Sequence, residues 1–226
     1  PFYRLKNQWL ILAHAYQDKN WWLKAVDLVE EINWKYYLKD SKEEVERIIS
    51  KMSKSLKNVV NPDDIVAELW ADTLRLYEMY MSDFKDAAPW DTKWIVWIAR
   101  FLEKAERLFT FEAKKSTEND TFTMKLLHKT IKKVSEDIEN YKFNTAIAAL
   151  IILVNNWLPT DSKNEAEWKT SFTKLLHPFA PHLAEELWER IHCHPELDSG
   201  SMEKDSESSS DWHTSIFNTT WPKFNP

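Results

Sequence analysis

The run MKLLHKTIKKVSEDIENYKFNTAIAALIILVNN, residues 124–156, carries two different helical patterns. After Phe143 nearly every residue is apolar, which is typical of a helix enclosed on all sides. Before it, apolar residues recur at steps of three and four, the spacing of one buried helix face. Those positions are Met124, Leu127, Ile131, Val134, Ile138 and Tyr141. The run therefore predicts an amphipathic helix beside the central helix of a bundle.

Helical signals continue on both sides of this run. The sequence Asn-Pro-Asp-Asp opens residues 61–81 with a capping residue, a first-turn proline and two acids, which is a helix start. Residues 92–108 repeat the amphipathic spacing. Residues 165–176 and 178–191 are expected to form the last helical pair, with Pro178 at a helix start.

The first fifty residues are mixed in character. A short apolar run at residues 9–13 is consistent with a buried strand, and Asn33-Trp34 stands where a hairpin turn is expected. The Glu- and Lys-rich residues 41–49 favour a short helix. The predicted fold class is mainly α, with a short α/β segment ahead of an antiparallel helical bundle.

Composition bounds the function. The chain has 226 residues, a formal net charge of -6 and one cysteine, Cys193. A net negative charge excludes a global basic field for nucleic acid, so any RNA contact must use local patches. A single cysteine excludes an internal disulfide and fits a reducing compartment. No signal peptide and no membrane-spanning run are present in the sequence, which predicts a cytoplasmic protein without membrane contact.

The pentapeptide Lys51-Met52-Ser53-Lys54-Ser55 is the most specific motif. It has no apolar periodicity, which indicates an exposed loop; the alternative is an ordinary solvated Lys/Ser loop. Lysine ammonium groups bind phosphate as compact point charges. Two of them on one mobile loop can close over a polyphosphate and neutralise the charge that develops at the leaving group.

The residues on the C-terminal side of the pentapeptide narrow its meaning. KMSKS with Asn58-Val59-Val60-Asn61-Pro62 close behind it resembles the signature loop of the class I aminoacyl-tRNA synthetases, and the downstream motifs resemble their leucyl-tRNA synthetase branch. Those motifs are ADTLRLYEM at 71–79, PWDTK at 89–93, FNTAIA at 143–148, HPFAPHLAEELW at 177–188, and Ser215-Ile216 with Trp221-Pro222. The resemblance spans most of the chain, apart from roughly residues 15–48 and 192–212.

This resemblance implies a domain order. Residues 1–60 would end the nucleotide-binding catalytic domain and carry the signature loop, and 61–88 would be a connecting helical region that contacts the tRNA stem. Residues 89–191 would be the anticodon-binding bundle, 192–212 a low-complexity insertion, and 213–226 a tail packed on the bundle. The family's His-x-Gly-His motif, editing insertion and last domain are not in the sequence, so we expect a C-terminal piece of a longer enzyme.

The resemblance also implies the chemistry. ATP, with Mg²⁺, and leucine would form leucyl-adenylate, and leucine would then pass to tRNA(Leu); we expect a monomer. Lys51 and Lys54 would be the catalytic residues, and the whole run Lys51, Met52, Ser53, Lys54 and Ser55 would bind ATP. The family usually has glycine where Lys57 stands.

Tryptophan and glycine are out of balance, at 13 and 1 residues. Nine tryptophans stand where the family tends to have glycine, and exchanging them would restore ordinary frequencies of both residues. Our hypothesis is that the source reads UGA as glycine whereas the gene was translated with UGA as tryptophan. The nine positions are Trp9, Trp21, Trp22, Trp34, Trp70, Trp94, Trp97, Trp157 and Trp212.

Other polar clusters give weaker signals. Basic residues on two helices are candidates for tRNA phosphate contacts, and a solvated helix face is at least as good an interpretation. They are Lys125, His128, Lys129, Lys132 and Lys133 on one helix and Arg100, Lys104 and Arg107 on the other. His192, Cys193, His194 and His213 fit no zinc spacing, so no metal site is predicted. Asp63-Asp64 and Glu185-Glu186 are interpreted as helix-start and helix-surface charges.

Two alternatives remain open at this point. The chain can be a non-catalytic RNA-binding module with a vestigial loop, or it can come from a valine, isoleucine or methionine synthetase of the same class. Amino-acid specificity would lie mainly in segments outside this sequence, so only the bundle motifs favour leucine.

Overall fold

The computed structural model describes residues 10–110, 119–158, 160–192 and 215–224. Its first part is a sheet in the order β2-β1-β5-β4-β3, antiparallel throughout, with the short β6 added in parallel at the start of β1. The strands are β1 Ile11–Gln17, β2 Leu23–Lys24, β3 Val29–Ile32, β4 Lys35–Leu38, β5 Glu44–Lys51 and β6 Ala88–Pro89. A 3-10 turn, Val26–Leu28, lies between β2 and β3.

The hairpin expected around Asn33-Trp34 is confirmed, because Ile32 pairs with Lys35 across a two-residue turn. Both turn residues have positive φ, 50° at Asn33 and 65° at Trp34. That is a type I′ turn, for which Asn-Gly is the favoured pair. The helix predicted at 41–49 is wrong: most of this segment is β5, which pairs with both β1 and β4 and carries the β-branched residues Val45, Ile48 and Ile49.

The remainder is helical, as predicted. The helix expected over 61–81 is divided in two at Trp70, and Pro178 does not start a helix, because it lies in the corner between the last two. The helices are α1 Pro62–Leu69, α2 Ala71–Tyr80, α3 Thr92–Thr110, α4 Asp120–Glu139, α5 Phe143–Asn155, α6 Ser162–Leu176 and α7 Pro181–His192. Residues 10–70 are called the N-terminal region below, and residues 71–192 the bundle.

Helix α5 lies at the centre of the bundle. It packs against α2, α3, α4 and α6, and its residues Ala146, Ile147, Leu150 and Leu153 are fully buried. This packing explains why most of the surface of α5 is apolar, whereas α4 has one apolar stripe, although Ile152 of α5 remains 53% exposed. Next to it, Trp168 and Phe172 of α6 stack at 5.0 Å between ring centroids.

The start of α3 is fixed by a tyrosine of α2. The buried Tyr77 hydroxyl donates to the Asp91 carbonyl at 2.8 Å and accepts from the Asp91 N–H at 3.0 Å. Its ring meets Trp90 edge to face at 4.8 Å. The backbone N–H of Trp90 donates to the Leu12 carbonyl of β1 at 2.7 Å, and this bond joins the sheet to the bundle.

Residues 215–224, called the tail, lie on the outside of the bundle. Glu185 of α7 accepts hydrogen bonds from the Ser215 hydroxyl and the Ile216 N–H, and Ile216 is buried. Further along, the Trp221 indole donates to the Ser135 hydroxyl of α4 at 2.7 Å. Glu185 is thus a tail anchor rather than only a helix-surface charge.

The backbone divides the nine tryptophans. Three described ones have positive φ: Trp21 at 67°, Trp34 at 65° and Trp70 at 72°. With ψ of 155°, Trp70 lies in a region that is essentially restricted to glycine. Trp22, Trp94, Trp97 and Trp157 are not at positive φ, and Trp9 and Trp212 lie outside the described residues.

Candidate functional site

The signature loop follows the C-terminal end of strand β5, where the sheet meets the bundle. Lys51 is the last residue of β5 and pairs with Leu12 of β1. Met52 is partly buried against the bundle core, so the chain is held in place where it enters the turn that carries Lys54. The loop is therefore short and begins from rigid elements.

Inside the loop the backbone makes two successive tight turns. The Leu56 N–H donates to the Ser53 carbonyl and the Lys57 N–H to the Lys54 carbonyl, both at 3.2 Å. The hydroxyls of Ser53 and Ser55 share a hydrogen bond of 2.8 Å across the loop mouth. The two serines shape the loop, as hydroxyls at this spacing are able to do.

One buried amide closes the base of the loop. The Asn58 side chain is 8% exposed, and its Oδ1 accepts from the Ser53 N–H at 2.8 Å. Its Nδ2 donates to the His14 carbonyl of β1 at 3.3 Å and approaches the Lys51 carbonyl at 3.5 Å. Asn58 therefore joins the loop mouth to two strands.

A second contact holds the far half of the loop on the 3-10 turn. The Val26 N–H donates to the Leu56 carbonyl at 2.9 Å, and the Lys57 ammonium pairs with Asp27. The hydrogen bond from Lys57 lowers the pKa of the exposed Asp27 carboxyl below its ordinary value. Lys57 has φ of 51°, which is the left-handed region that favours the family's glycine.

The loop lysines differ in availability. Lys51 and Lys54 are exposed, and among the described residues neither ammonium has a hydrogen-bond or ion-pair partner. Lys57 is already paired with Asp27. The loop thus presents two free cations on a fixed base, an arrangement that suits a bound polyphosphate.

Helix α2 is hydrogen-bonded to the corner between α6 and α7. Asp72 of α2 is 3% exposed and accepts from His182 Nδ1 and from the Leu183 N–H, both at 2.8 Å. The Arg75 guanidinium donates to the Pro178 carbonyl at 3.3 Å. The HPFAPH motif is therefore the surface that receives α2, and Asp72 caps the first turn of α7.

The basic residues of α4 are not equivalent. Lys133 forms an ion pair of 2.7 Å with the buried Asp137, and Lys132 lies 4.0 Å from Glu136, so both have carboxylate partners on their own helix. Lys125 and Lys129 are exposed one turn apart, which keeps them available as phosphate contacts.

The remaining basic candidates have neighbours. His128 Nε2 lies 3.8 Å from Glu167 of α6. On α3, Lys104 donates to Asn155 Oδ1 at 2.8 Å, Arg107 bonds a carbonyl of its own helix at 3.3 Å, and the Arg100 guanidinium lies 5.7 Å from the Trp97 ring. These contacts restrain the side chains but leave them near the surface.

Within the described ranges no cluster of three or more His, Cys, Asp or Glu residues is placed to hold a metal ion. His192 Nδ1 contacts the Trp188 carbonyl at 2.9 Å, and Cys193, His194 and His213 lie outside those ranges. No helix in the described part of the chain is long and apolar enough to cross a membrane.

Two family profiles match separate parts of the chain. The profile of class I tRNA synthetases for isoleucine, leucine, methionine and valine matches residues 45–91, which include the loop, α1 and α2. The profile of the anticodon-binding domain of tRNA ligases matches residues 120–226, which begin at α4. The chain belongs to the class I aminoacyl-tRNA synthetases.

Curated relatives that the chain matches include leucine–tRNA ligases. The Borrelia turicatae enzyme is 44% identical over 228 residues, covering 100% of this chain and 24% of that enzyme. The enzyme of Borreliella burgdorferi strain ZS7 is 42% identical over 224 residues, covering 99% of this chain and 24% of its own length. The chain thus spans about a quarter of these relatives, and the match includes residues 15–48, where the motifs alone show no resemblance.

A solved structure has the same fold. The Agrobacterium radiobacter K84 agnB2 LeuRS, crystallised as a ternary complex with tRNA and LeuAMS, aligns with a TM-score of 0.61 at 27% identity. The alignment covers 78% of this chain and 22% of that one.

Asn58 and Asp72 lie in motifs that resemble the family, but the sequence alone does not reveal their contacts, and Asp27 lies in no such motif. The partners of Asn58 are backbone groups, the Ser53 N–H within the loop and the His14 carbonyl of β1, so no side-chain pattern indicates its contacts. Asp72 lies within a motif that resembles the family, but its pairing with Leu183 spans 111 positions.

Proposed function

We propose that this chain is part of a leucine–tRNA ligase, in which it supplies the ATP-binding signature loop and the tRNA-binding bundle. The observation that carries this proposal is the 44% identity to a leucine–tRNA ligase across the whole chain. The remaining three quarters of the relatives' length would supply the other half of the active site.

In this proposal Lys51 and Lys54 contact the ATP phosphates while leucyl-adenylate forms and pyrophosphate leaves. Met52, Ser53 and Ser55 complete the ATP-binding segment. The free ammonium groups on a fixed loop base support these roles, because charge placed beforehand stabilises a developing anion without reorganisation. Mg²⁺ would arrive on the ATP phosphates, since the loop run itself offers no carboxylate ligand.

The bundle is the proposed site for tRNA(Leu). Lys125 and Lys129 are the foremost phosphate contacts, because the neighbouring Lys132 and Lys133 have carboxylate partners. The proposed domain limits are 1–60, 61–88, 89–191, 192–212 and 213–226. The monomeric state and the cytoplasmic location stay predictions.

A chimera tests the catalytic role. This chain replaces the matched quarter of the Borrelia turicatae leucine–tRNA ligase, and leucine-dependent ATP–pyrophosphate exchange and charging of tRNA(Leu) are measured. We expect activity well above that of the same enzyme with the quarter deleted. A folded chimera that binds tRNA(Leu) without exchanging pyrophosphate would instead identify a non-catalytic RNA-binding module.

The loop assignment is tested in the same chimera. Lys54→Ala is expected to slow adenylate formation about 100-fold or more, since one preorganised contact contributes roughly 2.7–4 kcal/mol to the transition state. Lys19→Ala, which removes an exposed lysine from the turn before β2, is the matched control and is expected to leave the rate unchanged. Equal rates for Lys54→Ala and the parent would contradict the assignment.

The tRNA surface is tested by salt dependence. Lys129→Ala is expected to weaken tRNA(Leu) binding and to reduce the slope of log affinity against log salt by roughly one unit, because one phosphate contact is lost. Lys132→Ala is the control of the same residue type on the same helix, and we expect a smaller change. An unchanged slope for both variants would place the RNA elsewhere.

A further inference from the structure

We infer that Asn58 is a positioning residue of the signature loop: its buried amide holds the Ser53 end of the loop against the sheet and so sets where Lys51 and Lys54 meet the ATP phosphates. This inference rests on the function proposed above. It assigns Asn58 no contact with the substrate.

The burial of Asn58 supports this role. The side chain is 8% exposed and bonds at both ends, to the Ser53 N–H through Oδ1 and to the His14 carbonyl through Nδ2. A buried amide of this kind cannot be replaced by an apolar side chain without leaving its hydrogen-bond partners unsatisfied.

The position of Asn58 within the loop means that its loss should displace the backbone that carries Lys54. Its bond to Ser53 closes a ring that contains Lys54, and its donor atom also approaches the Lys51 carbonyl at 3.5 Å. Lys54 therefore extends from backbone that this side chain closes, and Lys51 extends from the end of the strand that the same side chain approaches. The contact between Lys57 and Asp27 holds only the far half of the loop and lies in the solvent, where an ion pair contributes little.

A displaced loop is expected to affect one chemical step more than the other. Adenylate formation needs the lysines at the leaving pyrophosphate, and errors of about 1 Å in position can cost about a hundredfold in rate. Transfer of leucine from preformed adenylate to tRNA does not release pyrophosphate. Loss of the amide should therefore slow the first step and leave the second nearly unchanged.

The experiment uses the chimera with the Borrelia turicatae enzyme. For Asn58→Ala we expect the kcat of ATP–pyrophosphate exchange to fall about 10- to 100-fold with little change in the KM for ATP. Single-turnover transfer from preformed leucyl-adenylate should stay within about threefold of the parent. Asn61→Ala, which removes the N-cap of α1 and is a structural change of similar size, is the control and should leave the exchange rate near that of the parent.

The outcomes separate this inference from the proposed function. An unsubstituted chimera that folds but exchanges no pyrophosphate overturns the proposed function. An active chimera in which Asn58→Ala exchanges at the parental rate, or slows both steps equally, overturns only the positioning role. If Asn58→Ala does not fold, Asn58→Asp carries the same comparison, because it keeps the shape and the acceptor for Ser53 but cannot donate to the His14 carbonyl.

Discussion

Three tryptophans of the bundle and the tryptophans of the N-terminal region occupy opposite environments. In and beside the bundle, Trp168 is 0% exposed and Trp90 and Trp188 are each 8% exposed. In the N-terminal region, Trp34 is 90% exposed and Trp70 is 66% exposed, and both have positive φ. A tryptophan stabilises a fold by burial and costs free energy on left-handed backbone, so only the first group has the backbone and packing that favour tryptophan.

This difference supports the hypothesis that some tryptophans stand for glycine. It also shows that the backbone favours glycine at only some of the nine positions. Glycine fits the geometry at Trp21, Trp34 and Trp70. Trp94 and Trp97 are exposed but lie inside α3, where a glycine would weaken the helix. The contrast can be tested by substitution at each kind of position.

The largest effect is expected in the bundle. Trp168→Ala removes a fully buried ring that stacks on Phe172, and we expect the free energy of unfolding to fall by about 3–5 kcal/mol. Chemical denaturation followed by circular dichroism measures this change. A loss below about 1 kcal/mol would mean that burial does not distinguish the two groups.

The next effect has the opposite sign. Trp70→Gly is expected to raise the free energy of unfolding by about 1–2 kcal/mol, which is the strain released less the entropy that glycine adds to the unfolded chain. Trp70→Ala is the matched control, because it removes the indole but keeps Cβ and therefore the strain. Equal stabilisation by both variants would assign the gain to the exposed indole rather than to the backbone.

A smaller gain is expected at the two tight turns. Trp34→Gly restores the Asn-Gly pair of a type I′ turn and should stabilise the chain by about 0.5–1 kcal/mol, and Trp21→Gly should behave alike. Trp97→Gly in the interior of α3 should instead destabilise it by about 1 kcal/mol. The same sign at all three positions would contradict a backbone origin.

The identities themselves can be measured on the native protein. Mass spectrometry of peptides that contain positions 70 and 94–97 distinguishes glycine from tryptophan directly. Glycine at every position would extend the recoding to α3, where the backbone gives no support for it. Tryptophan in both peptides would end the hypothesis.

The smallest effect concerns pH in the N-terminal region. Burial, followed by the charge of Arg47, lowers the pKa of His14 below its ordinary value of about 6.5, and Asp91 opposes the shift. As pH falls through about 6.5 the unfolded chain takes up this proton before the folded one, so stability decreases towards the lower folded pKa. The midpoint temperature of thermal unfolding should be lower at pH 5.5 than at pH 7.5, and His14→Gln should reduce this difference. An identical difference in both proteins would assign the pH dependence to other groups.

The bundle was predictable from sequence because helix periodicity is local: the spacing of Met124, Leu127 and Ile131 reports one buried face directly. Strand β5 was not predictable, because its Glu and Lys residues by themselves favour a helix. Its pairing with β1 and β4 makes it a strand instead. For the site, the loop lysines have a sequence signature. Asn58 lies in the same motif, but its role does not follow from the sequence, because its bond to His14 depends on strands that meet only in the folded chain.

The tail has a consequence for the order in which the molecule folds. Its bond from Trp221 to Ser135 joins residues 86 positions apart, and the bond from Lys174 to the Thr220 carbonyl joins residues 46 apart. Such closures wait until the end of this segment has left the ribosome, whereas α3 to α7 can pack on one another earlier. The tail therefore packs on the bundle last. A nascent chain paused before residue 215 would carry a folded bundle in which the surfaces of α4, α6 and α7 beneath the tail are still exposed to solvent.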